Sequence, residues 1–199
     1  ILVFSDANSM YEKGDLRKLL RKFADPSIGY VTGKMIYTSA DGSLSGDGCS
    51  AYMKYENFLR AYETRVHSVV GVDGGIDAVR KKLYVCMRPD QLPDFVLPLR
   101  VVEQGYRVVY EPEAVLREPA LKDSADEYRM RVRVSLRALW ALWDLKGLLN
   151  VFKYGIFSWQ LLSHKVLRYL AIIFLAGILL SSAVLANESA FYATAFYLQ

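Results

Sequence analysis

The chain has 199 residues, 53% of them hydrophobic and 13% aromatic, with a formal charge of +4. That length holds one domain with a full core, and so mild an imbalance does not indicate nucleic acid, so none is expected as a partner. Two cysteines, Cys49 and Cys86, and two histidines, His67 and His164, stand well apart in sequence. They leave no readable zinc site and no support for a Ser-His-Asp or Cys-His catalytic set, and they read as ordinary groups in a reducing compartment.

Ile1 to Phe4 is an apolar run without a start methionine, and it reads as a buried strand already under way. Ser5-Asp6-Ala7-Asn8 is the loop at its carboxyl end. Asp15 is placed to cap a helix carrying Leu16, Leu19, Leu20 and Phe23, an i, i+3, i+4, i+7 set, which Asp25-Pro26 ends. Ile28 to Tyr37 reads as strand. Thr38 to Gly48, rich in Gly, Ser and Asp, reads as a mobile surface loop. Tyr52, Tyr55, Leu59 and Tyr62 recur at helical spacing. Val69 to Val79 is strand and tight turn around Gly71, Gly74 and Gly75. A helix then runs from Phe95 to Gln104 with Gly105 as its C′ residue, and Tyr106 to Tyr110 is strand again. Strand and helix alternate, so an α/β sheet is expected.

From Asp126 the character changes. Arg129, Arg131, Arg133 and Arg137 are interleaved with Val132, Val134, Leu136, Leu139 and Trp140. Gly147 to Leu167 mixes aromatics with Lys153, His164 and Lys165, which suits a helix lying in a membrane interface. Tyr169 to Ala186 carries no charge and has the length of a bilayer span. Lys146, Lys153, Lys165 and Arg168 precede it and no Lys or Arg follows, so the α/β part is expected on the cytoplasmic side of an inner membrane. Ala190 to Gln199 is apolar and aromatic and reads as the start of a further membrane segment; both ends of the chain read as cuts.

Three sites could carry chemistry, each with a plainer alternative. Asp6 stands at the carboxyl end of a strand, where open α/β sheets bind ligands, and a carboxylate there can hold a divalent cation against a diphosphate; the alternative is an Asx turn. Asp94 stands between Pro93 and a helix, as an N-cap or as a general base; the two roles are compatible, because a helix N-terminus favours the ionised form. Arg131 and Arg133 can grip a diphosphate bidentately or form a basic face against lipid headgroups.

In order, these pieces resemble the membrane-anchored processive and lipid-linked members of glycosyltransferase family 2. VFSDAN is similar to that family's acidic metal motif after a strand. YENFLRAYETRVHSVVGVDGGIDAVRKKLY resembles its helix and glycine turn leading to an arginine and a short basic segment. LPDFVLPLRVVEQGYRVVYEPEA resembles the segment that carries its base, and MRVRV stands where a Gln-Arg-x-Arg-Trp sequence is frequent. The sequence departs from the family pattern in having Asn8 for a second Asp, Pro93 for the first acid of a pair, Gly75 for a frequent Ala, and Met130 and Val134 for Gln and Trp.

The resemblance implies an α/β fold with a partial GT-A (Rossmann-like) sheet, followed by an amphipathic interface helix and a transmembrane helix. It implies the acceptor-side half of a catalytic domain over 1–120, basic interface helices over 121–168, a span over 169–186 and a further segment over 187–199. It implies an inverting glycosyltransferase taking a nucleotide-sugar donor, a divalent cation (Mg or Mn) and a polysaccharide or lipid-linked acceptor, in contact with membrane lipids. Asp94 would be the base, Asp6 and Asn8 the metal ligands, Arg131 and Arg133 the diphosphate contacts, and Asp73, Gly74 and Gly75 the loop that shapes the sugar and acceptor site. The alternative is a non-catalytic membrane-anchored subunit that keeps the fold.

Overall fold

A computed structural model describes residues 1–7, 9–38, 47–119 and 124–199. The first elements are β1 (Leu2–Ser5), β2 (Met10–Tyr11), α1 (Asp15–Arg21), β3 (Ile28–Thr38) and α2 (Asp47–Val66). They are followed by β4 (Ile76–Val79), α3 (Pro93–Glu103), β5 (Arg107–Pro119) and α4 (Ser124–Asp144). The expected mobile loop falls largely on 39–46 and Asn8 is a metal candidate; both lie outside the described residues.

The five strands form one mixed sheet in the order β1-β4-β3-β5-β2. β4 runs antiparallel to both β1 and β3, β3 and β5 are parallel, and β2 pairs antiparallel with β5. β1, β3 and β5 therefore share a direction, and their carboxyl ends define one edge of the sheet. Side chains alternate across a strand. Val31, Ile76, Ala78, Val109 and Leu116 point to the face where Leu19 and Phe23 pack, and these form the apolar core. Tyr30, Thr32 and Asp77 point to the other face.

Two helix starts differ from the sequence reading. Asp15 is not the cap of α1: Gly14 is, with φ 95°, and Asp15 is the first helical residue. Asp15 is fully buried; its Oδ2 accepts from Glu12 N at 2.7 Å and its Oδ1 from Lys18 Nζ at 2.9 Å. Burial opposes its charge, but these bonds hold the carboxyl below its ordinary value. Likewise α3 begins at Pro93 with Leu92 as its cap, so Asp94 lies in the first turn rather than at the cap. Proline at the first helical position explains the shift, since its fixed φ suits the helix and its missing N–H is not needed there.

The aromatic spacing on α2 marks a helix, but it does not mark the packed side. Tyr52, Tyr55, Phe58 and Tyr62 are exposed, whereas Glu56, Arg60 and Glu63 are buried. The buried charges are bonded: Glu63 Oε2 accepts from Val70 N at 3.2 Å, and Arg60 reaches the loop before β4. At the end of α2, Arg107 donates to the carbonyls of Thr64 and His67, and Thr64 Oγ1 accepts from Tyr110 N, which ties the helix to β5. Arg80, in the basic segment after β4, is structural: it donates to the carbonyls of Phe23, Asp25 and Ile28.

The chain divides into two compact units, Ile1–Leu161 and Leu162–Gln199. The first closes with α4, whose Asp144 accepts from Arg88 at 2.8 Å, and with α5 (Val151–Tyr154) and α6 (Ile156–Leu161). The single interface helix expected over 147–167 is instead a 3-10 turn, two short helices and a π turn at Leu162–Val166. Gly155, with φ 55°, is where the chain breaks between the two short helices. The second unit holds α7 (Leu167–Leu185) and α8 (Ala190–Tyr197). Among the described residues one helical stretch, Ile156–Leu185, is long and apolar enough to cross a membrane. Within α7 the apolar side chains Ile172, Ile173, Leu175, Leu180 and Val184 are all exposed.

Candidate active site

At the carboxyl edge shared by β1, β3 and β5 lies a cleft of about 330 Å³. Its walls come from three places: Phe4, Ser5 and Asp6 at the end of β1; Asp73, Gly74 and Asp77 around the start of β4; Pro93, Asp94 and Leu97 from the start of α3, with Tyr30 beneath. Asp6, more than 60 residues before the other two in sequence, thus meets Asp73 and Asp94 in one cavity.

Each wall is fixed by a separate device. Arg60 forms a bidentate ion pair with Asp73, with Nη2 2.6 Å from Oδ1 and Nη1 on Oδ2. The same guanidinium donates to the Gly71 carbonyl at 3.3 Å and to Asn57 Oδ1 at 3.2 Å. Burial opposes the guanidinium's charge, but Asp73 more than offsets it and raises the arginine's pKa. Gly74 has φ 85°, and a Cβ added there would stand 3.0 Å from Asp94 Cβ, so the loop packs directly on the first turn of α3. Gly75 has no room for a side chain: a Cβ would lie 2.3 Å from Leu116 Cδ2 and 3.1 Å from Met35 Cε. Leu116 fills the space an alanine would need, which accounts for glycine at that position. The Tyr11 hydroxyl then donates to the Gly75 carbonyl at 2.8 Å.

Asp77 was not among the expected site residues. It is 1% exposed and accepts from the Tyr30 hydroxyl at 2.8 Å through Oδ2. Burial pushes its carboxyl up to about 7; Thr32 and Tyr30 hold it down, while Asp73 and Asp94 push it further up. Thr32 lies opposite Asp77 in the strand pairing, and its hydroxyl, beside the carboxyl, helps to hold it down. Asp77 Oδ1 and Thr32 Oγ1 are both buried without a partner. Tyr30 is raised well above its ordinary value by burial and by the charge of Asp77.

The paired arginines lie elsewhere. Arg131 and Arg133 are exposed on α4 and are not among the residues that line the cleft. Arg133 lines a shallow hollow with Tyr128, Arg129, Val132, Leu136 and Arg137.

A cation has a limited set of donors here. Among the described residues no three His, Cys, Asp or Glu side chains are grouped to hold a metal ion. Asp6, exposed at the cleft, offers one carboxylate, and Asn8 lies outside the described residues. That set fits the mode in which an ion keeps one or two carboxylates and takes its other ligands from substrate phosphates and water; it does not fit an all-protein cage.

No family model and no curated protein matches the sequence. Among solved structures the chain is similar to the mannosyltransferase PcManGT from Pyrobaculum calidifontis, in complex with GDP-Man and Mn2+, with a TM-score of 0.56. The fold is GT-A-like. The likeness covers 98% of this chain at 18% identity, and the chain spans 57% of that structure's length. In a GT-A-like sheet the cleft stands at the carboxyl edge, where ligands bind in open α/β folds.

Proposed function

We propose that this chain is the acceptor-side part of an inverting, nucleotide-sugar-dependent glycosyltransferase of family 2. The observation that carries the proposal is that Asp6, Asp73, Gly74 and Asp94 meet in one cleft at the carboxyl edge of a GT-A-like sheet. Asp94 is the general base. In the first turn of α3 its ionised form is favoured by the helix dipole, as a base requires. It takes the proton from an acceptor hydroxyl, whose oxygen attacks the anomeric carbon of the donor from the opposite side to the diphosphate. The carbon–oxygen bond to the diphosphate breaks and the departing oxygen keeps the electron pair, so the configuration inverts. Asp6 would hold a divalent cation, which would supply positive charge to neutralise the leaving diphosphate. The Asp73–Gly74 loop, held by Arg60, orients the acceptor against Asp94.

This reading assigns the diphosphate grip to Arg131 and Arg133, which on α4 stand outside the cleft lining. The apolar α7, uncharged from Tyr169 onward, anchors the enzyme in an inner membrane, with the sheet on the cytoplasmic side and the basic face of α4 near lipid. A second reading, a non-catalytic anchored subunit, draws on the placement of both arginines away from the cleft lining.

Asp94→Asn separates the two. In the full-length protein the variant should keep its melting temperature and its affinity for nucleoside diphosphate, because Asn is nearly isosteric and Leu92, not Asp94, caps the helix. Turnover should fall about 10²–10⁴-fold, the usual effect of removing a general base. A folded variant that binds nucleotide and turns over within a few-fold of wild type rules out Asp94 as the base.

A further inference from the structure

We propose that the outward face of α2 rests on the headgroup layer of an anionic phospholipid bilayer. The inference rests on the membrane-anchored reading above and adds a second lipid contact, made by the sheet-bearing unit itself.

α2 is built inside out. A surface helix of a soluble domain turns its apolar side inward and its charges to water. Here Glu56, Arg60 and Glu63 are buried, and the outward face carries Tyr52, Tyr55, Phe58, Tyr62 and Val66. At 3.6 residues per turn these five fall within roughly a third of the helix circumference. Tyr55 is 55% exposed and Phe58 56%. The rings of Phe58 and Tyr62 stand 4.5 Å apart, so they join into a patch rather than scatter singly. A contiguous exposed apolar patch marks a surface that meets a partner.

Charge selects the partner. Over residues 51–66 both acids are buried, and the exposed charges, Lys54 and Arg65, are both positive. Arg65 lies 5.2 Å above the Tyr62 ring, so cation and rings form one surface. Rings with cations and no acid suit a bilayer interface: aromatic side chains settle at headgroup level, and Lys and Arg meet anionic lipid. A second copy docked through the same face would bring like charges together. A neutral glycan would leave both cations without a counter-charge.

Position supplies the lipid. Gln160 Nε2 on α6 donates to the Glu63 carbonyl of α2 at 3.3 Å, and the Phe157 ring stands 5.8 Å from that of His67, just past the end of α2. α6 opens the stretch Ile156–Leu185, the one among the described residues long and apolar enough to cross a membrane. The end of α2 is thus fastened to the first turns of the candidate span. α6 repeats the pattern of α2, burying Phe157 and Gln160 and exposing Ile156 and Trp159.

The test uses the full-length protein in vesicles of phosphatidylcholine with and without phosphatidylglycerol. Native cysteines are replaced by serine, and a nitroxide is attached at Phe58→Cys or, as an aqueous reference, at Arg17→Cys on α1, where the side chain is exposed. Oxygen concentrates in lipid and a nickel chelate stays in water, so collisions with each report the surroundings of the label. The label at position 58 should favour oxygen and the label at 17 the chelate. Shielding at 58 should be greater with phosphatidylglycerol present. Lys54→Gln with Arg65→Gln should weaken docking about fivefold for each cation lost, read as more chelate collisions at 58. A label at 58 as open to the chelate as the one at 17 overturns the inference. So does shielding indifferent to phosphatidylglycerol and to both cations; spin–spin broadening would then assign the face to a second copy, and shielding gained only with added maltohexaose would assign it to a glycan. Alkaline carbonate tests the parent reading separately. Wild type stripped from the vesicles removes the anchor and this inference with it, whereas a protein that stays bound with position 58 open to the chelate loses the inference alone.

Discussion

Along β3 and β4, neighbouring residues go to opposite sides of the sheet and do opposite work. Val31, Ile76 and Ala78 enter the packed face against Leu19 and Phe23, while Tyr30, Thr32 and Asp77 enter the cleft face. All six are almost completely buried. Depth therefore does not distinguish core from site in this protein; bonding does. The packed-face cluster itself is built of apolar side chains. On the cleft face one carboxylate oxygen and one hydroxyl are left without partners. The packed face holds the strands in register, and that register sets Thr32 opposite Asp77.

The contrast can be broken from either side. Leu116→Ala should cost the most, about 2–5 kcal/mol, since Leu116 is fully buried on the packed face and leaves a cavity. Thermal or denaturant unfolding measures it, and a loss well under 1 kcal/mol would mean that this face is not the one that sets stability.

Asp77→Asn should act in the other direction and depend on pH. The carboxyl titrates near its ordinary 3.8 when unfolded and near about 7 when folded. Between those values the unfolded chain has released a proton that the folded chain still holds. Rising pH therefore erodes stability across that window and leaves it at its reduced level above. Asn removes the titration and can donate to Thr32. The variant should match wild type near pH 4 and be more stable above pH 7, with a ceiling of about 4 kcal/mol at 1.36 kcal/mol per pH unit. Melting curves at the two ends of the window check it. A variant that is less stable at pH 8 would mean that the charge is compensated in the fold.

Gly75→Ala should have the smallest effect, about 1–3 kcal/mol of overpacking against Leu116. The pairing sharpens the comparison, because the same substitution placed in Leu116→Ala should cost much less: the new methyl enters the space the leucine vacates. Additive losses in the double variant would show that the clash is not with Leu116.

Much of this was legible in the sequence, and what was not has a common cause. The strand-loop acid at Asp6, the Asp73-Gly74-Gly75 turn and the Pro93-Asp94 helix start are local signals, and the structure brings Asp6, Asp73, Gly74 and Asp94 together in the cleft. Asp77, Tyr30, Thr32 and Arg60 gave no such signal, because each sits inside a regular element whose pattern reads as packing. A carboxylate interrupting the apolar run Ile76 to Val79 was the one available hint. On α2 the visible period of Tyr52, Tyr55 and Tyr62 hid a second one, Glu56, Arg60 and Glu63, and only the second faces inward. Aromatic rings announce a helix without saying which side is buried when charges are paired within. The cap positions of α1 and α3 were each misplaced, by one and two residues, where a glycine and a proline decided the first turn.

The parallel pairing of β3 with β5 also has a consequence in time. The partners stand about 80 residues apart in the chain, which at the usual pace of translation is roughly 4–16 s of synthesis. β1, β4 and β3 can join as an antiparallel set well before β5 leaves the ribosome. During that interval the long edge of β3 has its backbone groups open to any neighbouring strand. The acidic cleft is complete only once α3 arrives to supply Pro93, Asp94 and Leu97. A nascent chain in this state is a natural client for a holding chaperone, and slower expression at lower temperature should raise the yield of folded protein without any change in sequence.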